Sequence, residues 1–571
     1  MRTGAAATIL VSGLLALSSC GGPQPTTPDT KLEGNVYASP SAGGSPVGGA
    51  RVTASLGSAT QSVITGPDGH FSLTMNGAQT VQAFNITVEP PDSSNLVASS
   101  YFKVPLEAYR SQYGAASELN IYLNTTAPSA PLPGAPAKRG CITGLLKDVG
   151  GQPVASNALE VVDTPAGTSV PRPLYPDCNT EFATIPNFSA GHALLPQAGE
   201  TGLVIYGGSR VVRTNAQGRY LMPVQTSQNL SGVSGSMWAG NYDGSDTGSL
   251  ATANALYWSK FQYVPEVKAL LNAVTPVGNT ATDTRDITLE NFDPATNSRV
   301  MNQSIRYDGS AVSRQVDGAT AGILVDTTAS FEHAITSAAL PLGEYFDEDA
   351  LGTQDLRVMK LASGTNAQSI AVTSRLIRYD TKDFFIVGDS TFYGWRNGVN
   401  QGQPLNATYL AIPAPQAPAQ AATGVSRAPS MSWSAVPGGK VYQVALLRLE
   451  EDDSATLAWV GYTPDTSLQV PLTLDANATY IWQVYTDDGT EMADYIGRDP
   501  LALEAARWKP TSALVKARTG ESALNRWRGQ AAQVIVQRTG SLPRPDAAYQ
   551  NLQTTGYRDT NSQESIFTTG N

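Results

Sequence analysis

Ser390 closes the one string in this 571-residue chain that reads like a hydrolase nucleophile. Phe384-Phe385-Ile386-Val387-Gly388-Asp389-Ser390 is a run of strand character leading into Gly-Asp-Ser. A serine hydroxyl attacks only when a base, usually histidine, takes its proton. The chain has three histidines, His70, His192 and His333, and none follows Ser390. No Gly-x-Ser-x-Gly elbow, His-Glu-x-x-His helix or phosphate-cradling Gly-x-x-x-x-Gly-Lys-Ser/Thr occurs. Glu332-His333 is a lone dipeptide, by default a surface pair.

Asp347-Glu348-Asp349 and Glu450-Glu451-Asp452-Asp453 are the carboxylate runs. Calcium takes roughly six to eight oxygens converging on one point, and neighbours in a run do not converge. Asn241-Tyr242-Asp243-Gly244-Ser245-Asp246 is better spaced but lacks a closing glutamate. The sequence therefore predicts no catalytic residue, no metal and no cofactor. The Ser390 string resembles that of the GDSL hydrolases, a family that places its histidine after the serine, near the end of an α/β domain. Here the string sits late and lacks that histidine. A hydrolase of unknown type within 292–412 remains the enzymatic alternative.

The residue type with the clearest consequence is Cys20. Arg2, an apolar run from Ala5 to Leu17, then Leu17-Ser18-Ser19-Cys20 follow the order of an export signal. The run is too short to cross ~30 Å of hydrocarbon. These residues resemble the lipobox of bacterial lipoproteins. The resemblance implies cleavage before Cys20, acylation of its thiol (palmitate-type chains), and a mature protein starting at the lipidated cysteine. Residues 1–19 are then a signal peptide, and 20–30 a Gly/Pro/Thr tether. The implied site is the cell envelope, facing periplasm or exterior, at the outer membrane if the host has one. Membrane lipid is the implied partner.

The formal charge of −11 argues against nucleic acid as a partner, since phosphate binding needs clustered Lys and Arg. Cys141 and Cys178 are the only cysteines besides Cys20. In an exported chain one remaining pair predicts a disulfide, with two free thiols as the alternative. The closed loop would contribute roughly 3–4 kcal/mol in the chain-entropy account.

At this length the chain predicts three to four domains, and its 53 Gly and 37 Pro suit short strands with many turns. The predicted class is mainly β: a multidomain string of β-sandwiches ending in a short helical segment. Over 31–125, Leu32-Glu33-Gly34-Asn35-Val36, Pro46-Val47-Gly48-Gly49-Ala50-Arg51-Val52 and Thr65-Gly66-Pro67-Asp68-Gly69-His70-Phe71 mark strands around a tight Asp-Gly hairpin turn. Leu119 to Leu123 could close the unit. Over 140–291 a diverged copy follows. Ile142-Thr143-Gly144-Leu145-Leu146 opens it, Gln152 to Val161 gives its middle, Thr214 to Leu221 its turn, and Asp286 to Leu289 its end. Cys178 falls in an insertion between Val162 and Val211, and apolar spacing around Val267, Leu270 and Leu271 predicts a helix within 251–273.

Both units resemble the carboxypeptidase regulatory-like domain, a seven-stranded sandwich of the carbohydrate-binding-like fold. That resemblance implies a non-catalytic accessory module. Pro/Ala-rich stretches at 126–139 and 413–424 read as linkers. Residues 292–412 read as β-rich without a family. Over 425–500, Met431-Ser432-Trp433, Tyr442-Gln443-Val444 and Leu474-x-Ala476-x-x-x-Tyr480-x-Trp482-x-Val484 resemble a fibronectin type III domain with its tyrosine corner. That implies that Trp433, Tyr480 and Trp482 are core. In 501–571, Ser512 to Gln537 is helix-like and the chain after Gly540 reads as disordered. The function expected is structural, adhesive or scaffolding, with envelope proteins or glycans as partners. A carbohydrate-binding lipoprotein is the alternative, suggested by 23 tyrosines.

Overall fold

The computed structural model describes residues 30–38, 44–75, 82–106, 119–124, 138–157, 161–163, 169–171, 200–206, 210–226, 231–242, 253–255, 258–273, 281–291, 300–316, 319–332, 339–348, 351–359, 370–381, 386–396, 404–450, 455–496, 557–563 and 565–571. The described part is mostly β strand.

Period-two alternation builds the first sandwich. In β1 (Thr30–Ala38), Leu32, Gly34 and Val36 are buried while Lys31, Glu33, Asn35 and Tyr37 take the other face. β2 (Arg51–Leu56), β3 (Ala59–Ile64), β4 (His70–Met75), β5 (Ala83–Glu89), β6 (Ala98–Pro105) and β7 (Leu119–Leu123) follow. One sheet runs β4-β1-β7, with β1 antiparallel to β4 and parallel to β7. The facing strands run β3-β2-β5-β6. Leu32, Val52, Phe71, Phe84 and Ile121 meet between the two layers.

The Asp68-Gly69 turn does not close a hairpin, because β4 pairs with β1 rather than β3. It carries the chain between the two sheets. Thr65 fixes the crossover: its hydroxyl donates to the Val47 carbonyl at 2.7 Å and accepts the Ala50 N–H at 2.9 Å. Gly69 has φ +78, and a Cβ there would sit 2.5 Å from the Val36 carbonyl oxygen.

The second sandwich repeats this order. Its strands are β8 (Lys138–Lys147), β9 (Val161–Asp163), β10 (Ser169–Pro171), β11 (Glu200–Tyr206), β12 (Arg210–Arg213), β13 (Arg219–Thr226), β14 (Gly232–Tyr242), β15 (Ala253–Ala255), β16 (Trp258–Leu270), β17 (Asn272–Ala273), β18 (Ala281–Thr284), β19 (Ile287–Thr288) and β20 (Glu290–Asn291). β8 lies between antiparallel β13 and parallel β18 and β19, and β12-β11-β14-β16 forms the opposite layer. The turn chemistry repeats too. The Thr214 hydroxyl donates to the Val154 carbonyl at 2.7 Å, and the Gly218 carbonyl accepts the Leu146 N–H at 2.8 Å.

Two expectations fail here. Glu200–Tyr206, which falls inside the insertion expected between Val162 and Val211, takes the place that β2 has in the first sandwich. The neck of the insertion is tied where Asn157 Oδ1 accepts the Thr201 N–H at 2.9 Å and Thr201 Oγ1 accepts the Asn157 N–H at 3.1 Å. The predicted helix is also absent, since Trp258–Leu270 is a strand paired with β14. Phe261, Val267, Ala269 and Leu271 are buried while Lys268 and Leu270 are exposed, a period of two that tertiary pairing imposes over local spacing.

Residues 292–412 hold a third copy. β21 (Val300–Asp308), the short hairpin β22 (Gln315–Val316) and β23 (Ala319–Thr320), β24 (Gly322–Glu332), β25 (Ala339–Glu348), β26 (Gly352–Met359), β27 (Ile370–Tyr379), β28 (Ile386–Arg396) and β29 (Leu405–Thr408) make it up. The layers are β26-β21-β29, with β21 again parallel to the last strand, and β25-β24-β27-β28. Apart from the added hairpin this is the order of the first sandwich.

The fourth sandwich has β30 (Pro415–Ala417), β31 (Ala422–Val425), β32 (Ser430–Trp433), β33 (Val441–Leu449), β34 (Ala455–Thr463), β35 (Ser467–Gln469), β36 (Thr479–Asp487), the single turn α1 (Met492–Tyr495), β37 (Tyr557–Asn561) and β38 (Ser565–Thr569). Its layers are β30-β32-β35 and β34-β33-β36-β38. The stretch 413–424 is therefore not a linker. It supplies β30 on β32 and the first residues of β31 on β38, edge positions where proline is tolerated. The chain after Gly540 is not disordered throughout, because β37 and β38 pair with β36. Their polar residues order because the sheet takes up their backbone groups. The helix expected over Ser512 to Gln537, the signal peptide with Cys20, and Pro128 to Pro136 lie outside the described residues.

These sandwiches are joined edge to edge. β6 runs parallel to β34, and β37 lies between β28 and β36. One fifteen-stranded sheet thus links the first, third and fourth sandwiches, with β15 of the second added at its far edge.

Candidate functional site

Ile386 to Ser390 of the hydrolase-like string belong to β28, and the chemistry of Ser390 there is structural. Ser390 is fully buried. Its hydroxyl donates to the Asp559 carbonyl at 2.9 Å and accepts the Leu410 N–H at 2.9 Å. Asp389 pairs with Arg375 at 2.9 Å, and its carbonyl accepts the Thr560 hydroxyl at 2.9 Å. Gly-Asp-Ser is therefore the edge that receives β37. Sequence reasoning missed this role, since the partners lie about 170 residues downstream.

The other candidates do not converge. No group of three or more His, Cys, Asp or Glu among the described residues is placed to hold a metal. Glu450 accepts the Thr456 hydroxyl at 2.6 Å, and Asn241 accepts the Gly202 N–H at 3.2 Å. Asp243 to Asp246, Glu451 to Asp453, Asp349, His192 and His333 lie outside the described residues, as do the side chains of Glu332, Asp347 and Glu348. Cys141 is buried in β8, while Cys20 and Cys178 lie outside the described residues.

Buried hydroxyls line the third sandwich. Thr327 Oγ1 and Ser374 Oγ are 2.7 Å apart, and Ser374 Oγ is 2.6 Å from the Tyr409 hydroxyl. Burial pushes the Tyr307 and Tyr409 phenols well up, so both stay neutral across the physiological range. Burial likewise raises Tyr206 to about 12. Thr327, Ser374 and Tyr409 satisfy one another in the core of the third sandwich, and Tyr206 donates to the Val267 carbonyl in the second at 3.4 Å.

The aromatics of the fourth sandwich are core. Trp433, Tyr480 and Trp482 are buried, and the Asp475 N–H donates to the Tyr480 hydroxyl at 3.1 Å, tying the corner where β36 begins.

A surface with binding chemistry does exist on the outer face of β4-β1-β7. Alternation puts Lys31, Glu33, Asn35 and Tyr37 of β1 there, with His70 and Ser72 of β4 and Asn120 and Tyr122 of β7. Register sets Asn35 between His70 and Asn120, and Tyr37 beside Tyr122. The two tyrosine rings stack at 5.6 Å and are half-buried. Hydrogen bonding from Lys31 holds the Glu33 carboxyl below its ordinary range, so it is ionised at neutral pH. The sequence showed these positions only as strand residues. The signal for the face is the aromatic paired across two strands that are far apart in the chain.

No family model matches this chain, and no curated protein does either. Among solved structures it is similar to the Bacillus anthracis TIE protein at 9% identity, over 67% of this chain and 50% of that one, with a TM-score of 0.12. The chain thus spans about half of that protein. A Ca2+-stabilized adhesin of an Antarctic bacterium that binds ice gives 10% identity over 81% and 96%, TM-score 0.12. A streptococcal ancillary pilin gives 10% over 66% and 99%, TM-score 0.14. Scores this low carry no argument about fold or function.

Proposed function

We propose that this chain is a non-catalytic, lipid-anchored protein of the cell envelope with a structural or adhesive role. The observation that carries the reading is the continuous sheet through the first, third and fourth sandwiches. Modules joined by hydrogen-bonded ladders resist bending and pulling better than modules joined by a single flexible linker. The engagement of Ser390 within that sheet supports a non-enzymatic role. The lipobox-like Leu17-Ser18-Ser19-Cys20 supports anchoring through acylated Cys20. A Cys141–Cys178 disulfide would pin the long insertion to β8.

The test compares the native chain with Cys20→Ser in cell fractions, then cross-links intact cells and identifies what co-purifies. Membrane recovery that depends on Cys20, with a small set of envelope proteins attached, is the expected result. Equal membrane recovery of both forms would remove the anchor from the proposal.

A second reading, glycan binding, has one observation behind it: the Tyr37–Tyr122 pair flanked by Asn35, Asn120 and His70. Aromatic faces beside amides suit a sugar ring. Titration with purified peptidoglycan fragments and surface polysaccharide tests it. Binding that is lost in Tyr37→Ala would favour this reading over pure scaffolding.

A further inference from the structure

One edge of the joined sheet is bare. β3 ends the sheet beyond β2, and among the described residues it pairs with β2 alone. A two-residue turn, Gly57-Ser58 with Gly57 at φ +62, joins the two strands. Just past β3 the ladder continues, and the Thr65 N–H donates to the Ala50 carbonyl at 2.8 Å. Backbone bonds alternate along an antiparallel strand, so Ala59, Gln61 and Val63 bond to β2 as Thr65 does. Thr60, Ser62 and Ile64 therefore aim their N–H and C=O groups away from the sheet. Side chains leave this edge open: Thr60, Gln61, Ser62 and Ile64 are exposed, Ile64 by 52%.

Each sandwich ends its larger layer on a hairpin strand of this kind, and the other three are taken up or blunted. In the fourth it is β34, whose outer side pairs with β6. In the third it is β25, which carries Pro341, Glu344, Asp347 and Glu348, meets a register shift against β24 and pairs with β15. In the second it is β12, four residues long with an arginine at each end. Short length, charge, proline and bulges are what keep sheet edges from pairing. β3 has none of these protections: Ala59-Thr60-Gln61-Ser62-Val63-Ile64 is uncharged, lacks proline and keeps regular register with β2.

We infer that β3 joins two copies of this chain, pairing antiparallel with its own counterpart about a two-fold axis at Ser62. In that register Ser62 faces Ser62 of the second copy, and Thr60 faces Ile64 of the second copy. Every outward N–H and C=O of the three residues then gains a partner. The axis stands perpendicular to the sheet, so the two core faces stay on one side. Val63, which packs against the first core, comes to lie beside Gln61 of the second copy. On the other face the Thr60 methyl covers Ile64. Charge favours a second copy here. A chain of net charge −11 repels itself, and β3 is a stretch where two copies meet without opposing like charges. The mode is also built into the chain, since β34 pairs with a strand of another sandwich through the equivalent edge. Six residues from each copy make a small contact against the ~1,200–2,000 Å² of a stable interface, so the dimer is weak and concentration-dependent.

The test follows the full chain by sedimentation over a range of concentrations, carrying Cys20→Ser so that no lipid chain mimics association. A monomer–dimer equilibrium is expected. Ser62→Lys sets like charges against each other on the axis and should weaken the dimer several-fold. Its melting midpoint should stay that of the parent, because the side chain is exposed. Ser62→Glu should behave in the same way. An equal mixture of the two variants should regain the dimer, because this register sets position 62 against itself. Ser62→Pro deletes an outward N–H that β2 does not use, and should also give monomer. A parent chain that stays monomeric into the millimolar range overturns the proposal and leaves the edge to a strand of another protein. A dimer indifferent to Ser62→Lys puts the contact elsewhere and overturns it too, as does a mixture no tighter than either variant alone.

Discussion

The fourth sandwich is joined on two sides, and the two joints use different chemistry. Toward the first sandwich, β34 and β6 run parallel, and the contact is aromatic. Tyr101 and Tyr462 stack at 4.9 Å, Tyr462 and Tyr495 meet at 5.0 Å, and Trp459 Nε1 donates to Ser100 Oγ at 3.0 Å. Toward the third, β37 acts as an adaptor strand and the contact is polar. Arg375–Asp389, the Ser390 hydroxyl to Asp559 and the Thr560 hydroxyl to Asp389 make it up, and Arg558 Nε donates to Asp488 at 2.8 Å beside it. An aromatic joint gains from burial and tolerates small shifts. A polar buried joint allows one register, because each donor must meet its acceptor. The first joint therefore supplies adhesion between sandwiches, and the second supplies alignment.

Breaking each joint at its centre separates these roles. Tyr462→Ala removes a buried ring from both aromatic contacts, and unfolding in urea should show a loss of ~3–5 kcal/mol. Asp389→Ala leaves Arg375 buried without its carboxylate, with an expected loss of about 3–5 kcal/mol. Replacing Arg375 as well, as Arg375→Leu/Asp389→Ala, should recover part of that loss. A double variant no better than the single would assign the cost to the surrounding polar residues instead. Ser390→Ala leaves the Leu410 N–H and the Asp559 carbonyl without their partner, and should cost ~1–3 kcal/mol. The same change should leave any esterase activity of the preparation untouched, and a specific loss of turnover would revive the hydrolase reading.

The two joints were unequally legible in the sequence, as were the sandwiches they link. The first sandwich announces itself through Pro46 to Val52 and Thr65 to Phe71, where Gly and Pro satisfy backbone conformations that few residues adopt. The third has the same strand order, but its connection from β21 to β24, Asp308 to Ala321, carries Asp308-Gly309, Asp317-Gly318 and an added hairpin, and has none of the prolines that mark the first. Its topology is set by which strands bury Val325, Val372 and Phe392 together, a property of distant pairs. The tail shows the same limit. Tyr557-Arg558-Asp559-Thr560-Asn561 looks soluble on its own, and becomes a strand because β28 and β36 flank it. Ser390 was readable as a strand residue. That its hydroxyl serves a strand 170 residues later was not.

The smallest expected effect lies at the rim of the aromatic joint, where it tests whether charge contributes there at all. Lys103 pairs with Asp465 at 2.5 Å, with side chains 57% and 43% exposed. Such a pair is worth less than about 1 kcal/mol and weakens with salt. Lys103 also sits at φ 55, left-handed for a residue with a Cβ, at the irregularity where β6 slips against β5. Its N–H donates to Asn85 Oδ1 at 2.8 Å, which holds the kink in place. Lys103→Ala keeps the strain and removes the charge, so a loss of a few tenths of a kcal/mol is expected, vanishing in ~1 M salt. Lys103→Gly removes both, and relief of a strain of about 1 kcal/mol should leave it as stable as the native chain or more so. A Gly variant weaker than the Ala variant would mean that the lysine stem packs on the joint. The contrast between an aromatic and a charged joint would then be blurred at its edge.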